Sequence, residues 1–166
     1  IFYATQSRDN AVHYEHSELG YNYRMSNICA GIGCGQMEIL DKNITFRREM
    51  HDFYKKVFED IKEVTVFDEP SDDYFSNYWL STILIENNND KKIDRESLRL
   101  VFERENIESR PLWKPMHLQP LFFCYPFYGE KIAESLFEKG LCLPSGSNLT
   151  NDDKNRIKGV IETFFN

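Results

Sequence analysis

The chain has 166 residues, 41 % of them apolar and 14 % aromatic, which suits one domain with a packed core. Its formal net charge of −7 argues against nucleic acid and anionic membrane surfaces, since both want a basic face. No apolar run approaches a membrane span and no secretory signal is present. Anionic small molecules stay admissible, because a pocket can be locally basic on an acidic protein. The four cysteines, Cys29, Cys34, Cys124 and Cys142, include no Cys-x-x-Cys pair, so ordinary buried thiols in a reducing, cytosolic protein are expected. The chain opens on Ile1-Phe2-Tyr3-Ala4, which reads as the end of a strand, and a piece of a longer protein is expected.

Residues 1–25 are polar and irregular. His13 and His16 lie three apart there, but no further ligands accompany them and no metal is assigned. Ser26 is an N-cap for a long helical pattern that starts at Met25 and Ile28 and runs to about Glu63. As one straight helix it would reach about 57 Å, against about 40 Å for a domain of this size. It must therefore bend, near Asp41–Asn43, or project and find a partner. Thr65–Phe67 reads as a short strand and Tyr78–Ile85 as a strong one. Asn87–Asp90 is a loop, and Asp94 caps a helix over Arg95–Glu105. Ile107–Arg110 is a candidate strand. Residues 111–129 hold four of the six prolines and form an ordered loop. Glu130–Glu138 is a helix stopped by Gly140, Leu141–Leu143 a strand, and Thr150 the cap of a last helix from Asn151 to Phe164. The sum is an α+β fold with a small antiparallel sheet covered by helices.

Three stretches carry chemistry. Gly31, Gly33 and Gly35 invite a phosphate-loop reading, but the spacing is not G-x-G-x-x-G and no strand precedes them, so close helix packing is expected. Asn22 and Arg24 flank Tyr23 just before the helix; they either cap a turn or meet an anionic group near the helix N-terminus. Arg110-Pro-Leu-Trp-Lys-Pro-Met-His117 is either an aromatic structural loop or a site for a charged, planar ligand. In the second case Trp113 would stack on a base while Arg110 and Lys114 meet phosphates. No Ser-His-Asp arrangement is visible, so no nucleophile is named.

Gly20-Tyr-Asn-Tyr-Arg-Met-Ser-Asn27, Gly35-Gln36, Glu38, Arg47-Arg48 and Tyr54 resemble the DegT/DnrJ/EryC1/StrS family of sugar aminotransferases. So do Arg110–His117 and Leu143-Pro-Ser-Gly146, and the likeness covers residues 8–164. Ser7–Asn10 and His13–His16 are similar to the branch acting on UDP-linked 4-keto-6-deoxy-N-acetylhexosamines, as in bacillosamine synthesis. The resemblance implies the small C-terminal domain of a fold-type-I pyridoxal 5'-phosphate (PLP) aminotransferase, with its long linking helix. It divides the chain into an arm with the cofactor-phosphate loop (1–25), the linking helix (26–64) and the small α+β domain (65–166). The large domain, with its Schiff-base lysine, would lie outside this chain, so no catalytic residue is nominated and the fragment alone should be inactive. Asn22 and Arg24 would bind cofactor phosphate across a homodimer. His16, Tyr23, Arg110, Trp113, Lys114 and His117 would face the nucleotide-sugar, and L-glutamate would be the amino donor. A non-catalytic relative of the same fold is the alternative.

Overall fold

A computed structural model describes residues 1–87 and 93–166. The expected loop at Asn87–Asp90 lies outside the described residues from position 88 onward. The chain divides into two compact units, Ile1–Asp41 and Lys42–Asn166.

In the first unit the arm folds back on itself. Thr5 and Asn22 form an antiparallel bridge, and Tyr23 N–H donates to the Ala4 carbonyl at 3.0 Å. Phe2–Ala4 form a 3-10 turn and not the strand end expected, and Gln6 and Ser7 after it sit at positive φ (67° and 49°). Gly20 is required there: a Cβ would stand 2.2 Å from Ser7 Oγ. Helix α1 spans Asn27–Glu38, and Ser26 caps it as expected, its Oγ accepting from Cys29 N–H at 3.2 Å. The expected bend falls earlier than Asp41–Asn43. The helical run breaks at Ile39, whose φ of −112° is not helical, and resumes as α2 over Leu40–Val57. It ends at Val57 and not near Glu63, because a turn takes over between Phe58 and Ile61.

The second unit is built on a four-stranded antiparallel sheet of order β1-β2-β4-β3. The strands are β1 (Val64–Val66), β2 (Ser81–Ile85), β3 (Arg110–Pro111) and β4 (Gly140–Leu143). Strand β2 alternates, with Ser81, Ile83 and Ile85 inward; β4, between two neighbours, is buried throughout. Helices α3 (Arg95–Arg104), α4 (Ile132–Lys139) and α5 (Asn151–Phe165) complete the unit. Asp94 and Thr150 each form a reciprocal capping box, with Ser97 and Asp153. The core joins Met50, Tyr54 and Phe58 to Ile83, Ile85, Leu98, Phe102, Leu141, Leu143, Ile157 and Ile161. Each such side chain contributes about 1.5–3 kcal/mol by burial. Gly140 both stops α4 and opens β4, since a Cβ would lie 2.1 Å from Leu112 Cδ1.

Three expectations need correction. Tyr78–Leu80 are not strand: Tyr78 takes φ 42°, which ends extended pairing. The strand expected at Ile107–Arg110 is only Arg110–Pro111, because Asn106 at φ 54° turns the chain and Ile107 goes into the core. The thiols are not uniformly buried. Cys29, Cys34 and Cys124 are exposed, on α1 and in the aromatic loop; Cys142 alone is buried among the four, and burial raises its pKa.

A polar cluster ties the 68–79 loop to α2. Arg48 donates to Glu69 Oε1 at 2.9 Å, a bond that raises the Arg48 pKa and lowers that of Glu69, and to the Ser76 carbonyl at 2.5 Å. Asp68 accepts from Lys55 and, at 2.5 Å, from the Tyr78 hydroxyl, and these hold its carboxyl well below the usual range. His51 is buried and stacked on Tyr78 at 3.7 Å, with planes 7° apart. Its Nε2 lies 3.4 Å from Asp68 Oδ1, an ion-pair distance without hydrogen-bond alignment. Burial, opposed by Asp68, lowers the His51 pKa. The unfolded chain therefore takes up this proton more readily than the folded one. His51's contribution is complete above its ordinary value of about 6.5 and is lost as pH falls below it; that of Asp68 is lost below about pH 4. Urea midpoints should fall between pH 7 and 5, and His51→Phe should flatten that interval. An unchanged slope in the variant would assign the loss elsewhere.

Candidate functional site

The two groups of candidate residues fall in different units. Asn22, Tyr23 and Arg24 are exposed on the segment just ahead of the α1 N-cap, with Tyr21 and Tyr23 stacked at 5.1 Å. An exposed amide and an exposed guanidinium close to a helix N-terminus are a donor set that suits a phosphate dianion. His16 is tied into the arm: its Nδ1 donates to the Gln6 carbonyl at 2.8 Å. That bond fixes the tautomer and leaves Nε2 as the ring's remaining acceptor.

In the second unit an open groove of about 1170 Å³ runs between β3 and the start of α5. Arg110 and Trp113 line it, together with Ser145 and Gly146. Lys114 and His117 are not among its lining residues. His117 points to α4 instead, with Nε2 3.1 Å from Glu134 Oε1 and its ring stacked on Phe127 at 3.7 Å. Arg110 Nε donates to Glu108 Oε1 at 2.7 Å, so its charge is partly compensated.

Residues distant in sequence hold one wall of this groove. Arg47 Nη1 donates to the Trp79 carbonyl at 2.5 Å and to the Ser145 carbonyl at 3.0 Å. The Tyr54 hydroxyl donates to the Pro144 carbonyl at 2.8 Å. Ser145 Oγ accepts from Ser81 N–H and donates to the Leu143 carbonyl, both at 2.8 Å. The turn 144–146 is thus fastened from α2 and β2. Sequence reasoning missed Trp79, whose ring stands 6.3 Å from that of Trp113. The only local signal was an aromatic pair, Tyr78-Trp79, at a strand start.

The close packing expected of Gly31, Gly33 and Gly35 is not seen among the described residues: a Cβ at each would meet nothing within 4 Å. No helix among the described residues is long and apolar enough to cross a membrane, and no cluster of three or more His, Cys, Asp or Glu among them is placed to hold a metal ion.

Comparison with known proteins agrees with these motifs. The chain is 42 % identical over 168 residues to EpsN of Bacillus subtilis (strain 168), which carries the name of a pyridoxal phosphate-dependent aminotransferase; the match takes in 99 % of this chain and 42 % of that protein. It is 38 % identical over 157 residues to GDP-perosamine synthase of Escherichia coli O157:H7, covering 93 % of this chain and 41 % of the synthase. The chain thus spans about two fifths of the length of these curated relatives. The aminotransferase TlmJ from Streptoalloteichus hindustanus shares the fold, with a TM-score of 0.81 over 98 % of this chain and 43 % of that one, at 18 % identity. A model of the DegT/DnrJ/EryC1/StrS aminotransferase family matches residues 3–162, and the chain belongs to that family.

Proposed function

We propose that the protein containing this chain is a PLP-dependent aminotransferase acting in the cytoplasm on a nucleotide-linked 4-keto deoxysugar, with L-glutamate as donor, for cell-surface polysaccharide or glycan biosynthesis. One observation carries the reading. Arg47 and Tyr54, motif residues of an aminotransferase family, hold the Leu143–Gly146 turn by its carbonyls, and that turn lines one groove with Arg110 and Trp113. A relative 38 % identical to the chain is named a GDP-perosamine synthase, which makes a nucleotide-sugar the matching substrate class.

Bound PLP supplies the electron sink for moving the amino group. None of this chain's lysines is assigned the bond to it; that role is given to a segment outside the chain. The chain's own residues bind and orient. Asn22 and Arg24 donate to the cofactor phosphate of the neighbouring subunit in a homodimer. Tyr23 and His16 border the sugar, with His16 Nε2 turned away from its bond to the Gln6 carbonyl and available to a sugar hydroxyl. Arg110 and Trp113 hold the nucleotide, with Lys114 and His117 on the loop that follows.

The full-length protein loaded with PLP should show a visible absorption band that L-glutamate bleaches and a keto-sugar nucleotide restores. A folded protein with no such band is the outcome that favours the non-catalytic relative. Asn22→Ala should weaken retention of the cofactor by about 1–3 kcal/mol, the scale of a hydrogen bond to a charged group. Cofactor release on dialysis at the wild-type rate would remove Asn22 from the phosphate site.

A further inference from the structure

We propose that Trp79 is a base-stacking residue, forming with Trp113 an aromatic clamp for the nucleobase of the substrate; this rests on the nucleotide-sugar reading above. Trp79 and Trp113 are the chain's two tryptophans, and both are largely in solvent, 60 % and 68 % exposed. Their ring centroids are 6.3 Å apart and their planes 33° from parallel. They come from separate elements. Trp79 stands two residues before β2 and Trp113 two after β3, and these strands flank β4.

The backbone under Trp79 is fixed while its ring is not used by the core. Its N–H donates to Asn77 Oδ1 at 3.0 Å, and its carbonyl accepts from Arg47 at 2.5 Å. Tyr78 just before it takes φ 42°, a conformation uncommon for a bulky residue. Strain of this kind persists where the surroundings over-determine it, and it gathers at ligand clamps. Here it lies next to an indole whose ring is tilted toward a second one.

The spacing suits a third ring. Aromatic carbons touch at about 3.5–4 Å, so a planar base between two indoles needs about 7–8 Å. The pair stands about 1 Å short of that, and rotation of exposed side chains supplies the difference on a picosecond–nanosecond scale. Trp113 also lines the groove, where Arg110 is paired with Glu108, Arg99 with Glu96 and Glu103, and Arg156 stands beside them. Stacking tolerates any base, since every base has a π-face, so the clamp gives affinity without choosing the nucleotide.

The test is calorimetric titration of the full-length, PLP-loaded protein with UDP, GDP and dTDP. The wild type should bind at least one of them. Trp79→Ala should weaken that binding about 5- to 100-fold, and Trp79→Phe should restore most of it. In turnover, Trp79→Ala should raise KM for the sugar nucleotide and leave kcat within about twofold. Because the ring is exposed, the circular dichroism of the variant should match the wild type. Wild-type affinity in a folded Trp79→Ala protein would overturn the clamp and leave the nucleotide-sugar reading standing. Failure of the wild type to bind any of the three nucleotides would overturn both.

Discussion

Tyr54→Ala should destabilise the protein by about 3–5 kcal/mol, the cost of removing a large aromatic ring from a closed core. Tyr54→Phe should cost only about 1–2 kcal/mol. Tyr54 is fully buried in α2, where its ring lies 5.2 Å from Phe53 and 6.3 Å from Phe58. Burial raises the pKa of its phenol far above the ordinary value, so the group stays a proton donor at every working pH. The proton goes to the Pro144 carbonyl at 2.8 Å. Alanine removes both the packing and the bond. Phenylalanine keeps the packing and leaves one carbonyl without its donor. Urea unfolding of the two variants separates these effects. At about 2–4 °C per kcal/mol for a chain of this size, melting should fall by roughly 6–20 °C for Ala and much less for Phe. Equal losses in the two would mean that the hydroxyl, and not the ring, carries the stability.

Arg47→Met should cost about 2–4 kcal/mol and should also weaken nucleotide binding. One guanidinium nitrogen donates to two carbonyls, those of Trp79 and Ser145. Hydrogen bonds to a charged donor are worth about 1.5–3 kcal/mol each, and two that share one group do not add fully. Methionine keeps the length and apolar stem of the side chain, so the loss reports the donor. Freed of Arg47, the 144–146 turn and the backbone of Trp79 are no longer held to the same point on α2, and the groove loses a fixed wall. Thermal melting and the nucleotide titration, run on the same variant, check this. A lowered melting temperature with wild-type nucleotide affinity would make Arg47 a stabilising residue only.

The same residues show where sequence reading reaches its limit. Helix starts were legible because a cap is a local device. Ser26, Asp94 and Thr150 each meet a backbone N–H three residues on, within the span of one helical turn. Gly140 was legible as a helix stop for a similar reason, although the close approach of Leu112 that demands glycine was not. Strand β2 was legible from its β-forming residues, although which of them face the core was not. The family, too, was written in ordered motifs along the chain. The groove was not legible in this way. Arg47 meets Trp79 across 32 residues and Ser145 across 98, and no periodic pattern spans such gaps. The burial of His51 against Tyr78 was equally invisible, since nothing local distinguishes this histidine from an exposed one.

By itself the sequence determined the acidic balance, the order and caps of the helices, the small antiparallel sheet and the aminotransferase family. These follow from forces acting within a few residues, or from residue order alone. The tertiary structure decided where the long helical run breaks, which thiols lie in solvent, how the 144–146 turn is held and that two distant tryptophans face one another. Those outcomes depend on which surfaces meet once the chain is closed. They are set by packing and by hydrogen bonds between remote segments, which no local pattern encodes.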